Sequence, residues 1–211
     1  MKAYGYERSE VAATVIVPLL MERFHPRSII DFGCGPGYWL AEFRKQGAPT
    51  IVGLELPGIE SLPGIEIHSQ DISSPTMATE LQAKGAIRFD LALCLEVVEH
   101  LNEEAGFRLV DALTNVAPVI VFSAAIPGQG GDGHINERWQ SYWVCQFEQR
   151  GFKAFDLIRP LVWYDQSVAF WYRQNILIFI SNTAISMLNC GEETSSLFIA
   201  DVVHPELFWK R

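Results

Sequence analysis

The sequence is poor in cysteine, in positive charge and in long apolar runs, and each shortage argues against a class of protein. Its four cysteines are dispersed and form no C-x-x-C pair, which disfavours a disulfide framework or a zinc site and favours reduced thiols in the cytoplasm. The first residues, MKAYGYERSE, lack the apolar segment of a signal peptide, and no apolar run approaches the roughly 20 residues that span a bilayer. Sixteen lysines and arginines stand against 25 acidic residues, a formal net charge of −9, without a basic cluster. A nucleic-acid partner is therefore disfavoured, because its phosphates would be repelled.

Apolar runs typical of buried strands alternate with amphipathic segments typical of helices. The predicted strands are residues 28–32, 50–56, 65–69, 88–95, 119–123, 152–158 and 175–180, and the predicted helices are 9–24, 38–46, 75–84, 102–117 and 137–150. Strands that are apolar from end to end indicate a parallel sheet covered by helices on both faces. We therefore expect a single α/β domain over residues 1–211, with a helical segment at 1–27, a core at 28–180 and an ordered extension at 181–211.

A glycine-rich turn follows the first predicted strand: Asp31-Phe32-Gly33-Cys34-Gly35-Pro36-Gly37. In open α/β sheets ligands bind beyond the carboxyl ends of the strands, and glycine lets a cofactor touch the backbone. A dinucleotide fingerprint would require glycine at position 38, which is tyrosine. The pattern D-x-G-x-G-x-G instead resembles motif I of the class I S-adenosylmethionine-dependent methyltransferases, of the methyltransferase type 11/23-like kind. The resemblance implies a three-layer Rossmann-like fold, a seven-stranded, mostly parallel sheet of order 3-2-1-4-5-7-6, and S-adenosylmethionine as methyl donor.

Further positions at strand ends extend the resemblance. In this family an acidic residue after the second strand holds the ribose hydroxyls, and Glu55 stands there with two oxygens able to accept from a diol. Asp71 and Ile72 correspond to the residues beside the adenine, and residues 89–101 resemble the family's motif IV. The cofactor site implied by the resemblance consists of Asp31, Gly33, Cys34, Gly35, Gly37, Glu55, Leu56, Asp71, Ile72, Leu95 and Glu96.

His134 is the predicted catalytic residue. It follows the fifth predicted strand in a glycine-rich loop, where this fold delivers side chains towards the methyl acceptor, and imidazole titrates near neutral pH. The glycines would let the loop move as a lid, and Asp132 or Glu137 would orient the ring. A loop histidine that only precedes the next helix is the alternative.

Glu96, Glu99 and His100 form a second constellation. On a helical turn their spacing would place them on one face. The E-x-x-E-H pattern resembles the one with which small-RNA 2′-O-methyltransferases and quinone-pathway O-methyltransferases bind a divalent metal, and His134 would then be a fourth ligand. The mixed set suits Mg²⁺, Mn²⁺ or Zn²⁺. Relatives without a metal carry the same string as a brace of the turn, and we favour that interpretation, with no metal ligands.

The aromatic-rich segment 163–175 is interpreted either as core or as the wall of an acceptor pocket, with core favoured and Arg173 as a polar contact in the other case. The leading hypothesis is methyl transfer to an oxygen or nitrogen of a small molecule or sugar. Metal-assisted methylation of RNA, and a partner subunit that binds the cofactor without catalysis, are the alternatives.

Overall fold

The strands form one mixed sheet with the order that the resemblance implies. The computed structural model describes residues 6–77, 88–186 and 200–209. Within these residues the sheet has the order β3-β2-β1-β4-β5-β7-β6. The strands are β1 (Ser28–Phe32), β2 (Thr50–Glu55), β3 (Ile67–Ser69), β4 (Leu91–Leu95), β5 (Val119–Ser123), β6 (Phe152–Phe155) and β7 (Leu177–Ser181). β1 to β5 pair in parallel, and β7 runs antiparallel to both β5 and β6. The predicted topology is confirmed.

Helices connect the strands and flank the sheet. They are α1 (Tyr6–Phe24), α2 (Tyr38–Lys45), α3 (Glu103–Val116), α4 (Gln140–Glu148), α5 (Arg159–Val162), α6 (Phe170–Asn175), α7 (Asn182–Ile185) and α8 (Glu206–Trp209). None of the helices in the described ranges has the length and apolar character needed to cross a membrane. The helix predicted at 75–84 lies largely outside the described residues.

Both faces of the sheet are buried because successive residues of a strand point to opposite sides. Ile29 and Leu93 pack into the apolar cluster that includes residues of α1 and α2. Their neighbours Ile30 and Cys94 pack into a second cluster with α3 and α4. This three-layer arrangement leaves the carboxyl ends of β1, β2 and β4 as the open edge at which a ligand can bind.

Two helix starts follow from local chemistry. Asn102 caps α3, since its Oδ1 accepts from the Ala105 backbone N–H at 2.9 Å, and Glu103 in the first turn complements the helix dipole. α2 begins directly after Gly37, whose φ of 97° lies in the left-handed region. A β-carbon at Gly37 would also lie 2.7 Å from Cγ2 of Ile65, so the start of α2 needs glycine for its conformation and for its packing.

Several elements are shorter than their apolar patterns predict. β4 begins at Leu91 rather than at residue 88. Just before it, the side chain of Asp90 accepts from the backbone N–H groups of Arg27 and Ser28 at the start of β1. α4 covers Gln140–Glu148 rather than 137–150, and β6 ends at Phe155 rather than at 158. α5 and α6 are helices of 4 and 6 residues, too short for a periodic pattern to predict.

Residues 200–209, here called the C-terminal segment, pack against the domain. Asp201 accepts from both the backbone N–H and the hydroxyl of Ser141 at 2.7 Å, and so caps the start of α4. Nη1 of Arg159 donates to the Ala200 carbonyl at 2.9 Å. Arg173 forms an ion pair with Glu206. Polar contacts of α4, α5 and α6 thus hold this segment on the domain.

Candidate active site

A cavity of about 1150 Å³ opens at the carboxyl ends of β1, β2 and β4. Every residue of the predicted cofactor set lines it except Gly37: Asp31, Gly33, Cys34, Gly35, Glu55, Leu56, Asp71, Ile72, Leu95 and Glu96. Gly37 lies behind the cavity at the start of α2. His134, Glu99 and His100 line the same cavity. The structure therefore brings the predicted cofactor turn and the predicted catalytic histidine to one space.

The glycine-rich turn takes its shape from left-handed glycines. Gly33 and Gly35 have φ values of 74° and 54°, which side chains with a β-carbon rarely adopt. A β-carbon at Gly33 would lie 2.6 Å from Cγ2 of Val97, so the turn and the loop after β4 are in close contact. The Gly35 backbone N–H points away from the turn and donates to Oε2 of Glu55 at 2.7 Å. Gly33 is therefore needed both for its backbone conformation and for its packing against Val97, and Gly35 for its backbone conformation.

Glu55 joins the ends of β1 and β2. Its Oε2 accepts from Gly35, and its Oε1 accepts from the backbone N–H of Leu56 at 2.8 Å. A carboxylate has about four acceptor positions, so two backbone bonds fix its orientation and leave capacity for a ligand diol. Glu55 lies on the cavity wall.

Asp31 is a buried carboxyl group at the bottom of the turn. Its exposed fraction is 2%, and Oδ2 has no hydrogen-bond partner among the described residues. Burial, and then the charge of Glu55, raise the pKa of Asp31 to about 7. An uncompensated buried carboxylate that faces a cavity is suited to a cationic group of a ligand.

The far end of the cavity combines a polar turn with an apolar side chain. Oδ1 of Asp71 accepts from the backbone N–H of Ser73 at 2.9 Å and from its hydroxyl at 2.6 Å. Ile72 is buried and also lines the cavity. This arrangement offers one apolar surface for a flat ring, with carboxylate oxygens at its edge.

His134 is oriented by Glu137, one of the two residues predicted to do so. Nδ1 of His134 lies 3.0 Å from Oε1 of Glu137, whose two oxygens also accept from the backbone N–H groups of Gly130 and Gly128 at 2.8 Å. Burial raises the pKa of Glu137, but the bonds from His134 and these amides outweigh it and lower the pKa below its usual value. Because an ionised Glu137 only accepts, Nδ1 of His134 donates to it, and in the neutral ring Nε2 is the nitrogen with the lone pair.

The histidine ring lies directly over Gly131. A β-carbon there would lie 2.2 Å from Nε2 of His134, so only glycine allows this position of the ring. The loop is also attached to the turn after β4, since the backbone N–H groups of Ile135 and Asn136 donate to the Glu99 carbonyl at 2.9 and 3.0 Å. The ring of His100 meets that of His134 edge to face, with centroids 4.9 Å apart.

Glu99, His100 and His134 form a cluster of donor atoms. One ligand atom from each lies within 4.8 Å of the others. Glu99 is fully buried, and neither of its carboxylate oxygens has a hydrogen-bond partner among the described residues. Burial, followed by the nearby Glu96, raises the pKa of Glu99, whereas burial and the neighbouring His134 lower the pKa of His100.

This donor set fits a divalent cation. A buried carboxylate without a partner is costly unless a proton or a cation neutralises it, and carboxylate with neutral imidazole is a common metal-binding combination. Glu96, which the motif would add as a ligand, is not part of the cluster. Its oxygens accept instead from Nε2 of Gln129 and Nδ2 of Asn175, each at 3.0 Å.

The aromatic-rich segment is divided between the cavity and the core. Phe170, Trp171 and Tyr172 line the cavity, and Tyr172 shares a hydrogen bond of 2.9 Å with the hydroxyl of Ser9 on α1. Arg173 is buried and donates to the Trp163 carbonyl, so it is not a contact for an acceptor. Three aromatic side chains and the His134 loop thus line the same cavity.

Comparison with known proteins identifies the family. A family profile described as "Methyltransferase domain" matches residues 4–156. The ribosomal RNA large subunit methyltransferase E of Granulibacter bethesdensis is 28% identical over 101 residues, which are 47% of this chain and 44% of that protein. The ubiquinone biosynthesis O-methyltransferase of Rhodopseudomonas palustris is 28% identical over 120 residues, 54% of this chain and 42% of that protein. The chain thus covers less than half the length of either relative.

Solved structures share the fold. The sugar N-methyltransferase KedS8 from Streptoalloteichus superposes with a TM-score of 0.59 at 16% identity, covering 81% of this chain and 87% of that chain. Magnesium protoporphyrin IX methyltransferase from Synechocystis, with bound S-adenosylmethionine, superposes with a TM-score of 0.55 at 14% identity, covering 83% of this chain and 79% of that chain. At these identities the likeness concerns the fold alone. The family profile covers most of the chain, so the protein belongs to the methyltransferase-domain family, as the glycine-rich motif predicts.

Proposed function

We propose that the protein transfers a methyl group from S-adenosylmethionine to an oxygen or nitrogen of a small molecule or sugar, in the cytoplasm. One observation carries the proposal: the glycine-rich turn and His134 line one cavity, whose described lining contains no lysine or arginine. Its titratable acidic and imidazole side chains are six carboxyl groups and two histidines: Asp31, Glu55, Asp71, Glu96, Glu99, Asp132, His100 and His134. Such a lining favours a cationic cofactor and disfavours an acceptor that presents phosphate at this point.

The cofactor would bind across the turn. The buried carboxyl of Asp31 is suited to bind the ammonium of the methionine part. The carboxylate of Glu55, which already accepts two backbone hydrogen bonds, is suited to bind the ribose diol. Ile72 would pack on the adenine. Asp31 and Glu55 repel one another without a cation, so part of the binding energy would come from relief of that repulsion.

Transfer of the methyl group is an in-line displacement. The acceptor heteroatom attacks the methyl carbon, the bond from that carbon to the sulfonium sulfur breaks, and neutral S-adenosylhomocysteine is left. A hydroxyl or ammonium acceptor must also lose its proton, for which Nε2 of His134 is the available base because Glu137 holds the proton on Nδ1. The protein's further task is to hold the reacting atoms in line and to keep water out, and the aromatic wall of Phe170, Trp171 and Tyr172 supports this.

Glu99, His100 and His134 would hold a divalent cation if one is bound. A cation there would lower the pKa of an acceptor hydroxyl and favour transfer to oxygen. His134 would then act as a ligand rather than as a free base. The convergence of these three side chains is also the observation that favours the second candidate, metal-assisted methylation of RNA.

One assay separates these functions. Transfer of labelled methyl from S-adenosylmethionine is measured to catechol, methyl glucoside, glucosamine and a short RNA duplex, each with Mn²⁺ and with EDTA. The proposal predicts transfer to one of the three small acceptors with little dependence on salt. Transfer to RNA alone, lost with EDTA and weakened steeply by salt, would support the second candidate. Tight binding of S-adenosylmethionine without transfer to any acceptor would indicate a non-catalytic partner subunit.

A further inference from the structure

A network of three amide side chains leads from the C-terminal segment to the cavity: Gln174 and Asn175, which are buried, and Gln129, which is partly exposed. It ends at Glu96, whose Oε2 accepts from Nε2 of Gln129 and whose Oε1 accepts from Nδ2 of Asn175, each at 3.0 Å. Glu96 itself has a φ of 55°, a left-handed conformation that is costly for a residue with a side chain. Its backbone N–H donates to the carbonyl of Ser123 at 3.0 Å and to the hydroxyl at 3.1 Å, so the surrounding structure holds this conformation.

The side-chain amides of Gln129 and Asn175 can donate to Glu96 only if their oxygens point away from it. An amide side chain can rotate by a half turn and exchange its donor for its acceptor, so its orientation must be set by its neighbours. Nε2 of Gln174 meets both oxygens, Oε1 of Gln129 at 3.0 Å and Oδ1 of Asn175 at 2.9 Å. Nδ2 of Asn175 also donates to Oε1 of Gln129 at 2.9 Å. Since an NH₂ group only donates, Gln174 fixes both oxygens towards itself and both NH₂ groups towards Glu96.

The orientation of Gln174 is set in turn by the main chain. Its Oε1 accepts from the backbone N–H of His204 at 2.8 Å. A backbone N–H has no acceptor alternative, so this bond admits only one orientation of the Gln174 amide. Gln174 is fully buried. Its backbone carbonyl accepts from the side chains of Gln140 and Arg159, and both of these also donate to backbone carbonyls of the C-terminal segment. The backbone N–H of His204, in the C-terminal segment, therefore sets the orientation of all three amide groups.

We propose that Gln174 is a positioning residue of the methyl-transfer site, which aims the Gln129 and Asn175 amides at Glu96 and so fixes an anionic hydrogen-bond acceptor on the cavity wall. The amides occupy one acceptor position on each oxygen of Glu96, and Ser123 and Glu99 are also near the carboxylate, which leaves room for one hydroxyl or amino group of the methyl acceptor from the cavity side. Gln129 belongs to the loop that carries His134, so the same contacts also hold that loop. The inference rests on the proposed function, since it assigns Glu96 to the acceptor.

The test compares two buried glutamines in the full-length protein. Gln174→Met removes the amide that orients the other two. Gln140→Met is the matched control, because Nε2 of Gln140 contacts neither Gln129 nor Asn175, and without its bond to the Val202 carbonyl the contacts of Asp201 and Arg159 still hold the C-terminal segment. In Gln174→Met the side-chain NH₂ signals of Gln129 and Asn175 in ¹H–¹⁵N spectra should shift, and their exchange with water should accelerate at least about tenfold. In Gln140→Met both should stay close to wild type. Unchanged exchange in Gln174→Met, or an equal change in both variants, overturns the proposal.

Kinetics give a second measurement, with whichever of catechol, methyl glucoside and glucosamine the wild type methylates. A variant that is only destabilised loses active enzyme and therefore kcat, with an unchanged KM. Loss of an oriented Glu96 should instead raise the KM for the acceptor about tenfold in Gln174→Met and leave it unchanged in Gln140→Met. A fall in kcat alone, at constant KM, overturns the assignment of Glu96 to the acceptor.

If Gln174→Met does not fold, Gln129→Met tests the same contacts from the partly exposed end of the network. Exchange of the Asn175 amide should then accelerate about tenfold, and an unchanged rate overturns the proposal. The amide measurements need no acceptor. A wild type that methylates none of the three small acceptors would therefore refute the proposed function, while the spectra would still decide the role of Gln174.

Discussion

Replacement of Asp31 by asparagine should stabilise the protein and weaken cofactor binding. Burial and Glu55 raise the pKa of Asp31 from 3.8 to about 7, which is about three pKa units or about 4 kcal/mol. The sign follows from linkage. Below pH 3.8 the carboxyl is protonated in both the folded and the unfolded state, and it costs nothing. Above pH 7 it is ionised in both states, and the folded state carries the full cost.

The asparagine variant avoids that cost but buries an NH₂ group where the carboxyl lacked a partner, at about 1–3 kcal/mol. The expected net gain in the free energy of unfolding is therefore about 1–3 kcal/mol at pH 8. Near pH 4 the gain should disappear or change sign. Urea denaturation at pH 4, 6 and 8 measures this dependence, with Asp111→Asn as control because Asp111 lies on the surface of α3 in an ion pair with Arg150. A difference between wild type and Asp31→Asn that does not change with pH would refute the reasoning.

Cofactor affinity should move in the opposite direction. If Asp31 binds the ammonium of the cofactor, the wild-type affinity for S-adenosylhomocysteine should rise with pH towards about 7, as the carboxyl ionises. The asparagine variant should bind about tenfold more weakly at pH 8, because a charge-assisted hydrogen bond is lost. Titration calorimetry at the same pH values measures both effects. An affinity that is equal in both proteins at pH 8 would remove Asp31 from the cofactor site.

Other substitutions test the remaining parts of the site. Gly35→Val should abolish S-adenosylhomocysteine binding, because a branched side chain at a φ of 54° would distort the turn and enter the cavity; unchanged calorimetric affinity would reject this placement of the turn. His134→Ala should lower turnover about 100-fold with cofactor affinity changed less than about twofold, and wild-type turnover would show that it is neither base nor ligand. Gly131→Ala should lower turnover in the same way, because its β-carbon would displace the His134 ring; turnover at the wild-type level would contradict that packing. Glu99→Gln should weaken Mn²⁺ binding in calorimetry at least about tenfold, and equal Mn²⁺ affinity would remove Glu99 from the metal cluster.

The residues that the sequence predicts for the cofactor line one cavity for a simple reason. Asp31, Glu55 and Asp71 lie at or just after the carboxyl ends of parallel strands, and parallel strands end at the same edge of the sheet. Gly37 shows the limit of the motif. The pattern includes it among the cofactor contacts, but its φ of 97° and its contact with Ile65 place it at the start of α2, outside the cavity lining. A motif shows which residue types occur at which positions. It does not show whether a residue contacts a ligand or only allows a particular backbone conformation.

The amides around Glu96 could not be predicted from the sequence. Gln129, Gln174 and Asn175 carry no motif, and Asn175 lies 79 positions from the carboxylate to which it donates. Their contact depends on α6 and the C-terminal segment, which are too short or too irregular for a periodic pattern. The only signal in the sequence is the presence of adjacent amides, Gln174 and Asn175, in an otherwise aromatic segment.

Glu96 and Glu99 show how neighbouring carboxylates of one motif can acquire different chemistry. Burial raises the pKa of both, but Glu96 also receives hydrogen bonds from Asn175, Ser123 and Gln129, which oppose the rise. Glu99 is fully buried, and the charge of Glu96 adds to the rise of its pKa, which nearby backbone groups oppose only in part. Where the surroundings shift the pKa values of two neighbouring carboxyl groups by different amounts, the group with more hydrogen bonds serves as a fixed anion. The other group binds a proton or a cation. The E-x-x-E-H string therefore does not define a single set of equivalent ligands, because the amides that hold Glu96 also keep it out of the cluster with His100 and His134.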